Sequence, residues 1–455
     1  MRGQAIDADG LPSASESMQT LAKIAWPAIL ESVLISLVSL VDTMMVSSLG
    51  HEAIASVGLT TQPRFIVLAI FMSLNVGVTA VISRRFGEGD RESANRTLRQ
   101  ILLIVTVLGA VLSALAVFFA EPLLRFAGAQ ADTIEGAVQY FSIIIGGGIF
   151  SIISLTINAA QRGCGNTKIA MTTNVTANLV NIVFNYLLIG GHFGFPRLEV
   201  RGAAIATTLG YFVAFVIAVR SISHPDRFLH ISFRHSFRPR WKDLSSLINV
   251  GSSAAVEQIF VRVGFFLFAK IIAGLGTVAF STHQVCMNMM NLSFAFGDGL
   301  AVSASALVGQ SLGKRRRDHA VLYGHLAQRV GLIIGGCMTV FFLLLRRQLM
   351  IPFSDSEEMI VLGAQILIIL GCICPAQISQ VIFSNCLRVA GDTRYVALVS
   401  LVCIGLGRTV VAYLFTYTLA GGLIGAWMSI VVDQVSRLIL NGVRFSRGKW
   451  TSIRL

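Results

Sequence analysis

Apolar runs of about 20 residues recur from end to end of this chain, separated by short polar connectors, and runs of that length read as bilayer-spanning helices. Against the polar breaks they predict twelve helices, at approximately 20–48, 52–82, 97–120, 131–160, 169–190, 201–222, 244–274, 278–308, 320–345, 357–387, 394–417 and 423–445, with ends uncertain by several residues. Several exceed about 20 residues, which implies tilt or extension beyond the hydrocarbon. Composition agrees, since only 13% of the chain is charged, about half the roughly 25% of an ordinary soluble domain. A soluble protein of 455 residues needs a more polar surface. The expected fold is therefore all-α, an integral membrane protein.

Residues 1–19 are polar and mildly acidic, lack the basic-then-apolar start of a signal peptide, and read as a cytoplasmic tail. Residues 446–455 read as a second one. The seven cysteines nearly all fall inside apolar runs, as small hydrophobes rather than disulfides or metal ligands. Cys372 and Cys374 flank one residue, which points them to different helix faces.

Lys and Arg placement orients the chain. With both termini in the cytoplasm, 25 of the 36 basic residues lie on the cytoplasmic side and six deep in spans. Only Arg125, Arg197, Arg201, Arg346 and Arg347 fall outside. The net charge of +13 is thus topogenic and directed at a lipid surface, and no soluble module supports a nucleic-acid reading. The expected location is the cytoplasmic membrane.

Shifted by 226 residues, the sequence partly overlays itself without a gap. Glu31 falls on Glu257, Gly87 on Gly313, Arg91 on Arg317, and Arg162, Gly165 and Thr167 fall on Arg388, Gly391 and Thr393. One register linking loops this far apart implies two pseudo-symmetric six-helix lobes, residues 20–222 and 244–445, joined by a basic connector at 223–243. Each lobe has an even number of spans, so the repeats are parallel, about an axis along the membrane normal. Paired lobes that rock about a central cavity suit alternating access.

The segments LVDTMMVSSLG, GEGDRESANRTLRQ, NAAQRGCGNTK, NIVFNYLLIGG, RGAAIAT, THQV and LVGQSLGK resemble, in order, those of multidrug and toxic compound extrusion (MATE) transporters. The resemblance runs from about residue 20 to 440, closest to the bacterial DinF-type and NorM-type branches. It implies a twelve-helix antiporter that exports organic cations against a proton or sodium gradient.

Ionisable groups inside spans are costly and mark cavities or partners. Asp42, in the outer half of helix 1, sits in the V-D-T context where relatives couple a cation. A carboxylate in a low-dielectric cavity takes a proton more readily, and only its ionised form attracts a cationic cargo. Asn174, Asn178, Asn181 and Asn185 form one stripe on helix 5. By the resemblance Asn181 and Asn185 line the N-lobe pocket, where they serve the coupling cation together with Asp42. These three residues are also the candidate site for sodium, the alternative ion. One branch has an Asp at the place of Asn185, so a two-carboxylate network is in doubt here.

Glu257, in helix 7, matches a family Glu that joins a helix 10 Asp at a C-lobe cation site. The equivalent position holds Gln377, which weakens a complete sodium site. Glu257 is expected to couple or bind cation, or else to pair with Arg262 or another base as a structural bridge. Glu31 is its symmetric counterpart. The expected substrate-binding set is Asp42, Glu31, Glu257, Gln377 and Asn178. Pro27 is expected to bend helix 1. Asp298 is a candidate gating or hydrogen-bonding residue of helix 8 without a clear assignment, Asp433 is expected to pair with Arg437 and Arg408, Arg64 with a carboxylate or carbonyls, and Lys270 to snorkel.

No Walker A motif, zinc spacing or placed nucleophile–base pair is present, which argues against an enzyme. No cofactor is expected beyond a coupling proton or sodium ion, and no firm metal site. The leading expectation is a monomeric secondary antiporter of amphipathic organic cations, in contact with membrane lipids. Its rivals are a lipid or lipid-linked oligosaccharide flippase, which wants Arg and Lys in the cavity, and a channel or membrane receptor.

Overall fold

The computed structural model describes residues 14–47, 51–126, 133–231, 241–353 and 356–453. The long helices are α1 (Ala14–Ser47), α2 (His51–Glu88), α3 (Arg91–Phe118), α7 (Thr167–Gly190), α8 (Glu199–Ile222), α9 (Trp241–Ala273), α10 (Thr277–Gly313), α11 (Arg317–Leu345), α12 (Glu357–Ala390) and α15 (Gly422–Ser446). Between them lie α4 (Ala120–Phe126), α5 (Ile134–Gly146), α6 (Gly148–Gly163), α13 (Thr393–Ser400) and α14 (Thr409–Tyr413). Where they are described, the twelve spans expected from the sequence fall mainly on helix, and no strand occurs among the described residues.

Nine described helices are long and apolar enough to cross a membrane, ten when α5 and α6 are one bent span. The two outside that count, α7 and α9, carry the asparagine stripe and the Glu257, Arg262 and Lys270 charges. Large side chains such as Phe118, Phe266 and Leu344, more than two-thirds exposed, form surface that only lipid suits.

The repeat reaches the level of single hydrogen bonds. At the end of α6, the Gly165 and Asn166 amides donate to the Arg162 and Gln161 carbonyls at 2.9 Å each. At the end of α12, Gly391 and Asp392 donate to Arg388 and Leu387 at 3.0 and 2.9 Å. Gly165 and Gly391 both have positive φ, +79° and +98°, a conformation that ends a helix at little cost only for glycine. The turns after α2 and α10 match in the same way, through Asp90 to Arg85 and Arg316 to Ser311.

Contacts divide the chain into two compact units, Val33–Gly251 and Met1–Ser32 with Ser252–Leu455. Both boundaries fall inside helices, α1 and α9, rather than at the connector. The reason is local packing. Leu21 and Ala25 belong to a core with Leu300, Ala304 and Ile382, and Leu247 belongs to one with Val78, Leu98 and Leu229.

In the Val33–Gly251 unit, glycines set the helix approaches. A Cβ at Gly202 would lie 2.6 Å from the Leu188 carbonyl and one at Gly210 2.9 Å from that of Ala177, so α7 and α8 pack backbone to backbone. The 43° bend between α5 and α6 falls in the run Gly146–Gly147–Gly148, where helix propensity is weakest. Residues 223–231 of the connector dock on α2 and α3. Asn95 accepts from the His230 amide at 2.8 Å and donates to the Phe228 carbonyl at 3.0 Å, and Phe228 packs edge-on against Phe86.

In the other unit, Gly297 packs on Ile378, Gly299 on the backbone of Ile29, and Gly335 on that of Pro375. The stretch between α13 and α14, Leu401–Arg408, is π-helical, as is Leu414–Thr418; π turns concentrate at functional sites. A Cβ at Gly264 would lie 2.8 Å from the Ile404 carbonyl, so α9 presses directly on the first of them. Past the end of α15, Trp450 is fully buried, stacks on Phe445 at 4.7 Å and donates to its carbonyl at 2.8 Å. All seven cysteines are free thiols. Cys372 is exposed while Cys374 is buried against Ser293 at 3.3 Å, as a helix requires of residues two apart.

Candidate functional site

The asparagine stripe of α7 is divided by burial. Asn181 and Asn185 are buried, Asn174 and Asn178 half-buried, while Leu179, Val183 and Tyr186 on the other faces are exposed. The close α7–α8 approach brings Thr207 within reach, and Asn181 donates to its hydroxyl at 3.1 Å. Asn185 in turn donates to the Asn181 carbonyl oxygen at 3.2 Å. The Thr207 hydroxyl donates in turn to the Ala203 carbonyl at 2.9 Å. The result is a buried neutral row of amide and hydroxyl groups.

Asp42 lies within α1, but its side chain falls outside the described residues. Pro27 is also inside α1, in its first part. Glu31 is buried and engaged in interactions of its own.

Glu257 is 3% exposed and does not stand free. Arg388 grips it with both faces of its fork, Nη2 to Oε1 at 2.5 Å and Nε to Oε2 at 3.0 Å, and Ser400 donates to Oε1 at 2.9 Å. Of the two roles expected for Glu257, the structure shows the ion pair, with Arg388 rather than Arg262 as the base. Gln377 is fully buried and both its amide atoms lack a partner, so it does not line an open space here. Asp433 pairs with Arg408 and with Arg437, the latter at 3.0 Å, as expected. Arg408 stacks over Phe265 and Phe268 as well, which offsets part of the cost of burying a guanidinium. Arg64 is half-buried; it meets the ring of Phe65, and its Nε has no hydrogen-bond partner. Lys270 is exposed and lines an open, mostly apolar groove of about 490 Å³ with Tyr413 and Tyr417. None of the candidate carboxylates borders that groove.

Three features go beyond what the sequence assigned. Arg388 served there only to anchor the repeat, and its position one residue past a predicted span concealed its partner on α9. Asp298 is exposed although it lies in α10, whose apolar window is 72% buried, the largest share among the spans. A carboxylate within an apolar span is costly against lipid and ordinarily faces protein or water. Asn158, on α6, is fully buried with both amide atoms unpartnered. Polarity inside a span was the signal available for Asp298 and Asn158. No group of three or more His, Cys, Asp or Glu that could hold a metal ion occurs among the described residues.

Known proteins place these observations. The MatE family model matches residues 27–187 and again 253–414, with starts 226 residues apart. The chain is 26% identical over 436 residues to the probable multidrug resistance protein NorM of Thermotoga maritima, covering 96% of this chain and 93% of that protein. It is 26% identical over 453 residues to the uncharacterized transporter YisQ of Bacillus subtilis, covering 99% of each. Among solved structures, an outward-facing multidrug resistance MATE transporter of the MOP superfamily superposes with a TM-score of 0.89 at 22% identity, over 95% of this chain and 97% of the other. Repeat, helix order and both family matches converge: the chain belongs to the MatE family and is a multi-pass membrane transporter of small molecules.

Proposed function

We propose that this transporter is a secondary active antiporter that exports amphipathic organic cations in exchange for protons, with sodium as the alternative ion. The observation that carries this reading is that both repeats bury carboxylates or amides inside their helices, Glu31, Asn181 and Asn185 in the first and Glu257 and Asp433 in the second. Carboxylates attract cationic cargo and can trade it for a proton. No nucleotide-binding motif occurs in the sequence to power transport otherwise.

Asp42 is the proposed exchange group, with Asn181 and Asn185 as its proposed partners in coupling. Pro27 is the proposed point at which α1 bends. The basic-residue asymmetry supports cytoplasmic termini and a place in the cytoplasmic membrane. The flippase reading calls for guanidiniums that face open space. Here Arg388, Arg408 and Arg437 each bind a carboxylate, which favours cations.

The test is uptake of tetraphenylphosphonium into proteoliposomes under separately imposed pH and sodium gradients. An outwardly directed proton-for-cation exchange abolished by Asp42→Asn is expected. Full gradient-driven transport by Asp42→Asn would refute the assignment, and a response to sodium alone would reverse the ion.

A further inference from the structure

Six charged side chains of the Ser252–Leu455 region alternate in sign: Asp298, Arg388, Glu257, Arg437, Asp433 and Arg408. Arg388 holds Glu257 by two hydrogen bonds. Glu257 also feels the charge of Arg437. Arg437 and Arg408 both grip Asp433. At the other end, Asp298 interacts with the charge of Arg388 without a hydrogen bond to it.

This row has three positive and three negative members. Its five members other than Asp298 are held in ion pairs. Glu257, Asp433 and Arg408 are at most 3% exposed and Arg437 is 9% exposed, and breaking a buried pair leaves an uncompensated charge. Asp298 differs on each count, being exposed and making no ion pair within hydrogen-bond distance. Gly297 packs on Ile378 of α12, and the next residue along that helix, Gln377, has a fully buried amide with nothing to hold. A reachable carboxylate and an orphaned amide thus flank one helix contact.

We infer that Asp298 is the carboxylate of this half that binds positively charged organic cargo, and that Arg388 is a positioning residue, a tethered counter-ion that keeps Glu257 occupied. The inference rests on the cation-export reading above and names a binding group for it. Arg388 already fills the coordination of Glu257, so a small inorganic cation finds no vacant carboxylate there. Cargo at Asp298 meets the repulsion of that same guanidinium, which disfavours compact, strongly hydrated ions and tolerates bulky, delocalised ones.

Equilibrium dialysis of tetraphenylphosphonium against the purified full chain tests this. Asp298→Asn weakens binding by about tenfold or more, a loss of ~1.4 kcal/mol. Adding Arg388→Gln to that variant releases Glu257 and restores part of the affinity, an effect that a purely structural role does not produce. Unchanged binding by Asp298→Asn overturns the inference while leaving cation export standing, and absence of recovery in the double variant overturns the counter-ion role. If the parent protein itself binds no tetraphenylphosphonium, the export reading falls and this inference with it. Should Asp298→Asn fail to fold, dicyclohexylcarbodiimide on the parent decides. Peptide mapping then finds the label on Asp298, reduced by tetraphenylphosphonium, and not on Glu257 or Asp433; a label absent from Asp298 or indifferent to the cation overturns the assignment.

Discussion

Arg388 and Glu257, 131 residues apart in sequence, form a two-pronged ion pair with contacts of 2.5 and 3.0 Å. Burial makes such a pair asymmetric in its energetics. Both charges lose water, and each is tolerable only while the other remains.

Removing one partner is therefore costly. Arg388→Gln is expected to destabilise the protein by roughly 3 kcal/mol, and Glu257→Gln with Arg388→Gln together by markedly less. A double-mutant cycle measured by denaturant titration in detergent checks this; simple additivity would mean the pair contributes nothing specific.

Neighbouring glycines of α11 make a sharper comparison. A Cβ at Gly335 would lie 2.6 Å from the Pro375 backbone, while one at Gly336 meets nothing within 4 Å. Gly335→Ala should cost ~1–3 kcal/mol through overpacking. Gly336→Ala should be neutral or stabilising by up to ~1 kcal/mol, because alanine favours helix. Thermal unfolding of the two variants separates them, and equal behaviour would contradict the packing described.

In the asparagine row, Asn185→Ala removes the donor that serves the Asn181 carbonyl oxygen. The expected loss is about 1 kcal/mol of stability. Thr207→Val removes the acceptor for Asn181 and should cost a similar amount. The two losses should fall short of additive, because both act on Asn181. Unfolding curves of the single and double variants measure this.

Asp90 lies between α2 and α3 and caps α3, accepting from the Ser93 amide at 3.0 Å. That hydrogen bond holds its carboxyl below the usual range. A lowered folded value means stabilisation that is present above the unfolded carboxylate pKa and is lost as pH falls through the folded one. Asp90→Ala should therefore cost ~1 kcal/mol at neutral pH and progressively less in acid. Stability of parent and variant measured from pH 7 downward tests the sign, since a gap that widened in acid would contradict it.

The sequence alone determined what depends on local chain properties. Apolar length marked the spans, because a bilayer accepts only segments that bury their own backbone hydrogen bonds. The 226-residue register marked the repeat, and Gly165 and Gly391 recur at matching turns because positive φ admits few other residues. Asp433 with Arg437 was legible too, one helical turn apart. Only the tertiary structure decided which charges cancel. Glu257 meets a base from α12 and Asp298 stays accessible because of how separate helices approach, and such distances are not written in any single helix. The π turns before and after α14 and unit boundaries inside α1 and α9 have the same origin. Packing between distant segments selects among conformations that local sequence leaves nearly equal in energy.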